Sequence, residues 1–238
     1  MSGPPTEAPD LSVVVLAYNE EANLRIAVEE ILGVLRALPR SWELIIVDDG
    51  SSDGTGRVAD VLATEEPRVR VVHHGTNRGL GGGYRTGFAE ARGERLTFFP
   101  ADGQFPATII TQFLGEMGTE LDMVLGYLPN RTREFLARSL SAAERILYFA
   151  LFGRMPRFQG IVMFRRKLLD ELPLISTGPG WGIIMELIVR TARGPYRTKS
   201  VPTDYRPRMS GESKAVSAKN VRANLEQVLA IRRAIRSR

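Results

Sequence analysis

The chain has 238 residues, 43% hydrophobic and 25% charged, enough for one sizeable core and the make-up of a globular protein rather than a disordered or membrane-embedded one. It contains no cysteine, which excludes disulfides, thiolate metal sites and a cysteine nucleophile. The net charge of +5 is concentrated at one end: residues 206 to 238 carry nine Lys/Arg against Glu212 and Glu226, while the residues before them are slightly acidic.

Met1 to Asp10 holds Pro4, Pro5 and Pro9 with neither a basic nor an apolar run, and reads as a flexible lead-in rather than a signal peptide. Leu11 to Ala17 is a β-branched apolar run, followed over Glu20 to Leu38 by apolar residues at helical spacing (Leu24, Ala27, Val28, Ile31, Leu35). The strand-helix unit recurs as Trp42 to Val47 with Thr55 to Ala63, Val69 to His73 with Gly83 to Ala91, and Arg95 to Phe99 with Thr108 to Met117. Met123 to Tyr127 reads as a fifth strand. Near-continuous apolar strands alternating with helices predict an α/β fold with a mostly parallel sheet covered on both faces.

Beyond Pro129 the rhythm changes. Arg131 to Phe152 predicts one long helix, Ile161 to Phe164 a strand, Gly182 to Ala192 a helix, Arg197 to Val201 a strand and Ser217 to Ile235 a terminal helix. The longest purely apolar or aromatic run, Ile146 to Phe152, is far short of the roughly 20 residues that span a bilayer. The domain division expected is a lead-in over 1–10, an α/β domain over 11–215 and a basic amphipathic helix over 216–238.

Ligands of open parallel sheets sit beyond the carboxyl ends of the strands, where the strand order reverses. Three strand ends carry acids: Ala17-Tyr18-Asn19-Glu20, Asp48-Asp49-Gly50-Ser51-Ser52-Asp53-Gly54-Thr55 and Pro100-Ala101-Asp102-Gly103-Gln104. Asn19, Glu20, Asp53 and Thr55 also suit helix starts. The run Gly79-Leu80-Gly81-Gly82-Gly83 follows the third strand, not the first, so it is read as close packing rather than a dinucleotide loop. His73 and His74 are neighbours on a strand, point to opposite faces and are read as structural.

These pieces, in this order and together with Asn77-Arg78-Gly79, Gly87 and Gly211-Glu212-Ser213-Lys214, resemble the family-two glycosyltransferases of GT-A fold. Within them they resemble the polyprenyl-phosphate, dolichol-phosphate-mannose-synthase-like branch. The resemblance runs over roughly residues 11 to 214. It implies a transferase that moves a sugar from a nucleotide-sugar donor, of GDP-mannose or UDP-glucose type, to a polyprenyl phosphate at a membrane surface. Ala17, Tyr18, Glu20 and Asp49 would hold the nucleotide, with the two carboxylates accepting from base or ribose. Asp102, with Gln104, would face the diphosphate through Mg²⁺ or Mn²⁺. The family's usual Asp-x-Asp is here Pro100-Ala101-Asp102, so weaker metal affinity is expected.

Arg208 occupies the position, three residues before the Gly211 glycine, where an arginine of this branch contacts donor and acceptor phosphates. Arg138 matches a second acceptor-phosphate arginine; Gly126-Tyr127-Leu128-Pro129 departs from the usual Ser-Arg-Tyr, and Arg131 is read as the substitute. Arg206 and Lys214 add positive charge that a phosphate acceptor needs. Two other readings stay open. One is a hydroxyl acceptor, for which Glu186 is the candidate general base, its bland role being an i,i+4 pair with Arg190. The other is a non-catalytic nucleotide-sugar or membrane-binding module.

A basic tail suits nucleic acid, an anionic membrane or a phosphorylated ligand, but no aromatic residue follows Tyr205, which disfavours nucleic acid. The apolar end of the 131–152 helix and the tail stripe Val221, Leu225, Val228, Ile231, Ile235 predict contact with lipid headgroups. The expectation is a cytoplasmic protein held peripherally on the cytoplasmic face of a membrane, with a separate membrane-protein partner left open.

Overall fold

The computed structural model describes residues 8–129, 150–207, 229 and 231–233. The chain opens as four strand-helix units: β1 (Leu11–Ala17), α1 (Glu21–Arg36), β2 (Trp42–Asp48), α2 (Thr55–Glu65), β3 (Val69–His73), α3 (Gly79–Glu90), β4 (Arg95–Pro100) and α4 (Ile109–Met117). Then come β5 (Met123–Tyr127), β6 (Val162–Arg165), α5 (Lys167–Glu171), α6 (Gly182–Arg193) and β7 (Thr198–Pro202). One seven-stranded sheet results, in the order β3-β2-β1-β4-β6-β5-β7.

The predicted strands and helices are all present in the described part, most boundaries moving by a residue or two. The exception is α3, which starts at Gly79 rather than Gly83. Glycine is a poor helix former, but the Gly81 N–H donates to Pro179 O at 2.8 Å, so a loop from the far half of the chain closes the first turn. A Cβ at Gly81 would stand 2.1 Å from Gly178 O, and one at Gly87 2.7 Å from the Phe98 ring, which confirms close packing as the use of these glycines.

β1 pairs in parallel with both β2 and β4, and β2 with β3. Alternate residues serve opposite faces. Val13, Val15 and Ala17 join Leu24, Val28, Ile31, Leu35, Leu62 and Phe113 beneath α1, α2 and α4. Val14 joins Tyr84, Phe98, Phe164, Ile184, Leu187 and Ile188 beneath α3 and α6. β6 is antiparallel to both neighbours, β4 and β5, while β7 runs parallel to β5. The chain leaves β1 towards β2 and β3 and returns to β4 on the other side, so the strand order reverses between the carboxyl ends of β1 and β4.

Residues 150–152, 229 and 231–233 are helical. Phe152 and Ile231, one from each predicted amphipathic helix, are buried against Val189 of α6, with Leu151, Met155 and Met185 around them. These described ends therefore pack on protein; the rest of both predicted segments lies outside the described residues. Among the described residues no helix is long and apolar enough to cross a membrane.

Candidate active site

The reversal point brings the ends of β1, β2 and β4 to one rim. After β1 the chain turns through Asn19, whose φ of 52° is positive, a region that asparagine tolerates better than most residues. The turn is fastened to the one after β2: the Asn19 N–H donates to Ser51 Oγ at 2.9 Å, and the Ser52 N–H to Asn19 Oδ1 at 2.8 Å. Gly50 has φ 70° and lies so close to Thr76 that a Cβ would stand 2.5 Å from its carbonyl carbon. Only glycine allows that turn.

Asp53 and Thr55 hold the scaffold. Asp53 Oδ1 accepts from the Thr55 N–H at 2.9 Å and its hydroxyl at 2.5 Å, Asp53 Oδ2 accepts from the Glu21 N–H at 3.3 Å, and Thr55 Oγ1 accepts from the Glu20 N–H at 2.8 Å. Desolvation pushes the Asp53 carboxyl up, but these donors outweigh it and leave it below the usual range. Glu20 follows on the rim, with its Oε2 accepting from the Asn23 amide at 2.7 Å.

The consecutive acids Asp48 and Asp49 each take one of the consecutive histidines. Asp48 Oδ2 lies 3.0 Å from His73 Nδ1, and Asp60 Oδ1 lies 3.0 Å from His73 Nε2. With acceptors at both ring nitrogens, hydrogen bonding to Asp48 and then Asp60 holds the His73 pKa above its ordinary value. On the opposite face, Asp49 Oδ1 lies 2.6 Å from His74 Nδ1 and accepts from the Arg78 N–H at 2.8 Å. His74 Nε2 lies 2.8 Å from Thr86 Oγ1, and both the His74 and Asp49 side chains are nearly buried. The histidines diverge as the sequence predicts. The role of His74 beside Asp49 is missed from sequence, although the β2–β3 register, which pairs Asp48 with His73, is the signal that places residue 74 next to residue 49.

After β4 the Ala101 N–H continues the ladder to Leu16 O at 3.0 Å, and Asp102 Oδ1 then accepts from the Gln104 N–H at 3.1 Å across Gly103, whose φ is 69°. Asp102 and Gln104 thus share one tight turn, half-buried, on the rim with Tyr18, which is 38% exposed. Gln104 O accepts from the Arg206 N–H at 2.8 Å, and the Phe105 and Tyr205 rings meet edge-on at 5.2 Å. The segment leaving β7 is therefore laid along the Asp102 turn, two residues short of Arg208. Arg206 itself is not left facing the site: its guanidinium reaches Glu30 on α1 at 3.0 Å. Arg131, Arg138, Arg208 and Lys214 lie outside the described residues.

Glu186 is corrected as a candidate base. It is wholly buried on α6, Oε2 accepts from the Ile175 and Ser176 amides at 3.0 and 2.8 Å, and Oε1 accepts from Arg190 at 2.8 Å. The i,i+4 pair is its role, extended to anchoring the 175–181 loop over α3.

The donors offered by the Asp102 turn are one carboxylate and one amide, all oxygen, which suit a hard divalent cation completed by water and phosphate. Among the described residues no three His, Asp or Glu side chains cluster to form a closed metal cage.

Residues 12–173 match the family model described as glycosyl transferase family 2. The chain is 30% identical over 230 residues to the polyprenol monophosphomannose synthase of Mycolicibacterium smegmatis, covering 91% of this chain and 84% of that protein. It is 32% identical over 215 residues to the undecaprenyl-phosphate mannosyltransferase of Micrococcus luteus, covering 84% and 85%. Among solved structures, a mannosyltransferase from Pyrobaculum calidifontis in complex with GDP-Man and Mn²⁺ superposes with a TM-score of 0.67 at 21% identity, covering 99% of this chain and 66% of that one. The chain belongs to glycosyl transferase family 2, and its fold is that of the GT-A transferases.

Proposed function

We propose that this transferase moves a sugar from a nucleoside-diphosphate donor to a polyprenyl phosphate. The observation that carries this over a hydroxyl acceptor is the state of Glu186. The one carboxylate available from sequence as a base has both oxygens engaged and no exposure, so it cannot take a proton from an incoming hydroxyl. A lipid monophosphate needs no such base, because with a second pKa near 6 it is largely dianionic at neutral pH. Its oxygen attacks the anomeric carbon as the bond to the nucleoside diphosphate breaks. The names of the relatives from Mycolicibacterium and Micrococcus support the same acceptor class.

In this reading Glu20 and Asp49 receive the nucleoside, with Ala17 and Tyr18 beside it, and Arg208 and Lys214, with Arg131 and Arg138, hold the acceptor phosphate. Asp102 and Gln104 would hold Mg²⁺ or Mn²⁺, which when bound supplies charge neutralisation at the departing diphosphate. The chain's own contribution is alignment, since the strap that leads to Arg208 is hydrogen-bonded to the Asp102 turn. The site would work on the cytoplasmic face of a membrane, with the basic tail drawn to anionic headgroups.

The test is direct. The protein is mixed with detergent-solubilised polyprenyl phosphate, a panel of GDP- and UDP-sugars, and Mg²⁺ or Mn²⁺, and glycolipid is sought by mass spectrometry. A product that falls at least ~100-fold in folded Asp102→Asn supports the reading. Donor binding with no glycolipid would count against it.

A further inference from the structure

The bonds at Asp49 bear on which nucleobase the donor carries. We infer that Asp49, locked by His74, offers the base a single acceptor oxygen and so selects uracil over guanine; this rests on Asp49 receiving the nucleobase, as proposed above. A carboxylate oxygen has two lone pairs. Both lone pairs of Asp49 Oδ1 are taken within the protein, by His74 Nδ1–H at 2.6 Å and the Arg78 N–H at 2.8 Å. The His74 side chain is 2% exposed and is anchored at its other nitrogen by Thr86 Oγ1 at 2.8 Å, so neither ring nor carboxylate can rotate without breaking a buried bond. Asp49 keeps a tenth of its side-chain surface open, and the bonds from His74 and Arg78 both fall on Oδ1 rather than Oδ2.

The pyrimidine edge of guanine presents two adjacent donors, N1–H and the exocyclic amine, and a carboxylate meets them with both oxygens side by side. Uracil presents one donor, N3–H, between two carbonyls. A carboxylate with one oxygen already saturated fits the uracil edge fully and leaves one guanine donor unpaired beside a side chain that is nine-tenths buried. An unpaired buried donor weakens binding by about tenfold or more. Glu20, whose Oε2 is steadied by Asn23, then serves the ribose hydroxyls.

Calorimetric titration of the full chain with UDP and with GDP, each with Mn²⁺, decides the matter. UDP is expected to bind at least ~10-fold more tightly. His74→Phe removes the Nδ1 donor and frees an Oδ1 lone pair, so the preference should shrink to within about threefold; Thr86→Val, which only loosens the ring, should shrink it less. Thr86→Val also covers the case in which His74→Phe fails to fold. Equal or tighter binding of GDP to the unaltered protein overturns the inference, as does a UDP preference that neither variant moves, since that would come from pocket size alone. If neither diphosphate binds, the nucleotide-site reading itself has failed, a result distinct from a reversed preference.

Discussion

Glu30 on α1 holds the Arg206 guanidinium at 3.0 Å while its Oε1 accepts from the Ala107 N–H at 3.0 Å, so a single carboxylate fastens the strap after β7 to the turn after β4. Both side chains are partly exposed, at 50% and 34%, and an ion pair of that kind contributes little to folding.

The pair is therefore expected to matter for turnover more than for stability. Arg206→Met and Glu30→Gln should each shift the unfolding free energy by no more than about 1 kcal/mol. Transfer to lipid phosphate should fall roughly tenfold if Arg208, two residues further along the chain, holds the acceptor phosphate as proposed, because the segment leading to it loses its anchor. The double variant should be no worse than the more severe single one; additive losses would show that the two residues act separately.

Glu186→Gln should behave in the opposite way. It leaves Arg190, about one-tenth exposed, without its charge partner, and breaking a buried pair costs about 3–5 kcal/mol. Urea denaturation should show that loss, while the variant that remains folded at low temperature should keep turnover within a few-fold. A collapse of turnover at unchanged stability would restore Glu186 as a base.

His73 makes a pH prediction with a definite sign. Its pKa is raised in the folded state by Asp48 and Asp60, so its contribution is complete below the unfolded value of about 6.5 and is lost as pH rises through the higher folded value. Denaturation midpoints of the unaltered protein and His73→Gln should differ most near pH 6 and draw together as pH rises through the raised folded value. A gap that widened with rising pH would contradict the assigned partners.

Pro100 stands where the family's first metal-turn carboxylate is expected. If the Asp102 turn holds a divalent cation as proposed, Pro100→Asp should lower the Mn²⁺ concentration for half-maximal transfer by about threefold or more, since added ligand charge tightens hard-cation sites. An unchanged requirement would mean that residue 100 does not face the cation.

The sheet was legible because its information is local. β1, β3 and β5 are bounded as their apolar runs predict, and the acids at three strand ends fall on one rim because parallel strands share a direction. The start of α3 was not legible, since four of its first five residues are glycines and the bond that closes its first turn comes from Pro179, about a hundred residues away in sequence. For the same reason the sequence marks Arg206 by charge alone, and Glu186 by charge and its i,i+4 spacing to Arg190. A charge at a useful position in sequence does not reveal a partner 176 residues distant, as Glu30 is from Arg206, or a carboxylate turned inward to hold two loop amides. Asp48 and Asp49 illustrate the intermediate case: their type was readable, but which of the two is consumed on the α2 side depended on the strand register.

The antiparallel β6 has a consequence for how this molecule can change. β5 ends and β6 begins on the same side of the sheet, and the Gln159 N–H donates to Gly126 O at 2.8 Å, so the thirty-odd residues between leave and re-enter through a pinched neck. Neither β1 nor β2, which lead into Glu20 and Asp49, pairs with either strand of that neck. On the proposed reading, which assigns Arg131 and Arg138 of that segment to the acceptor phosphate, its length and sequence can change without disturbing the register of β1 with β2 and β4.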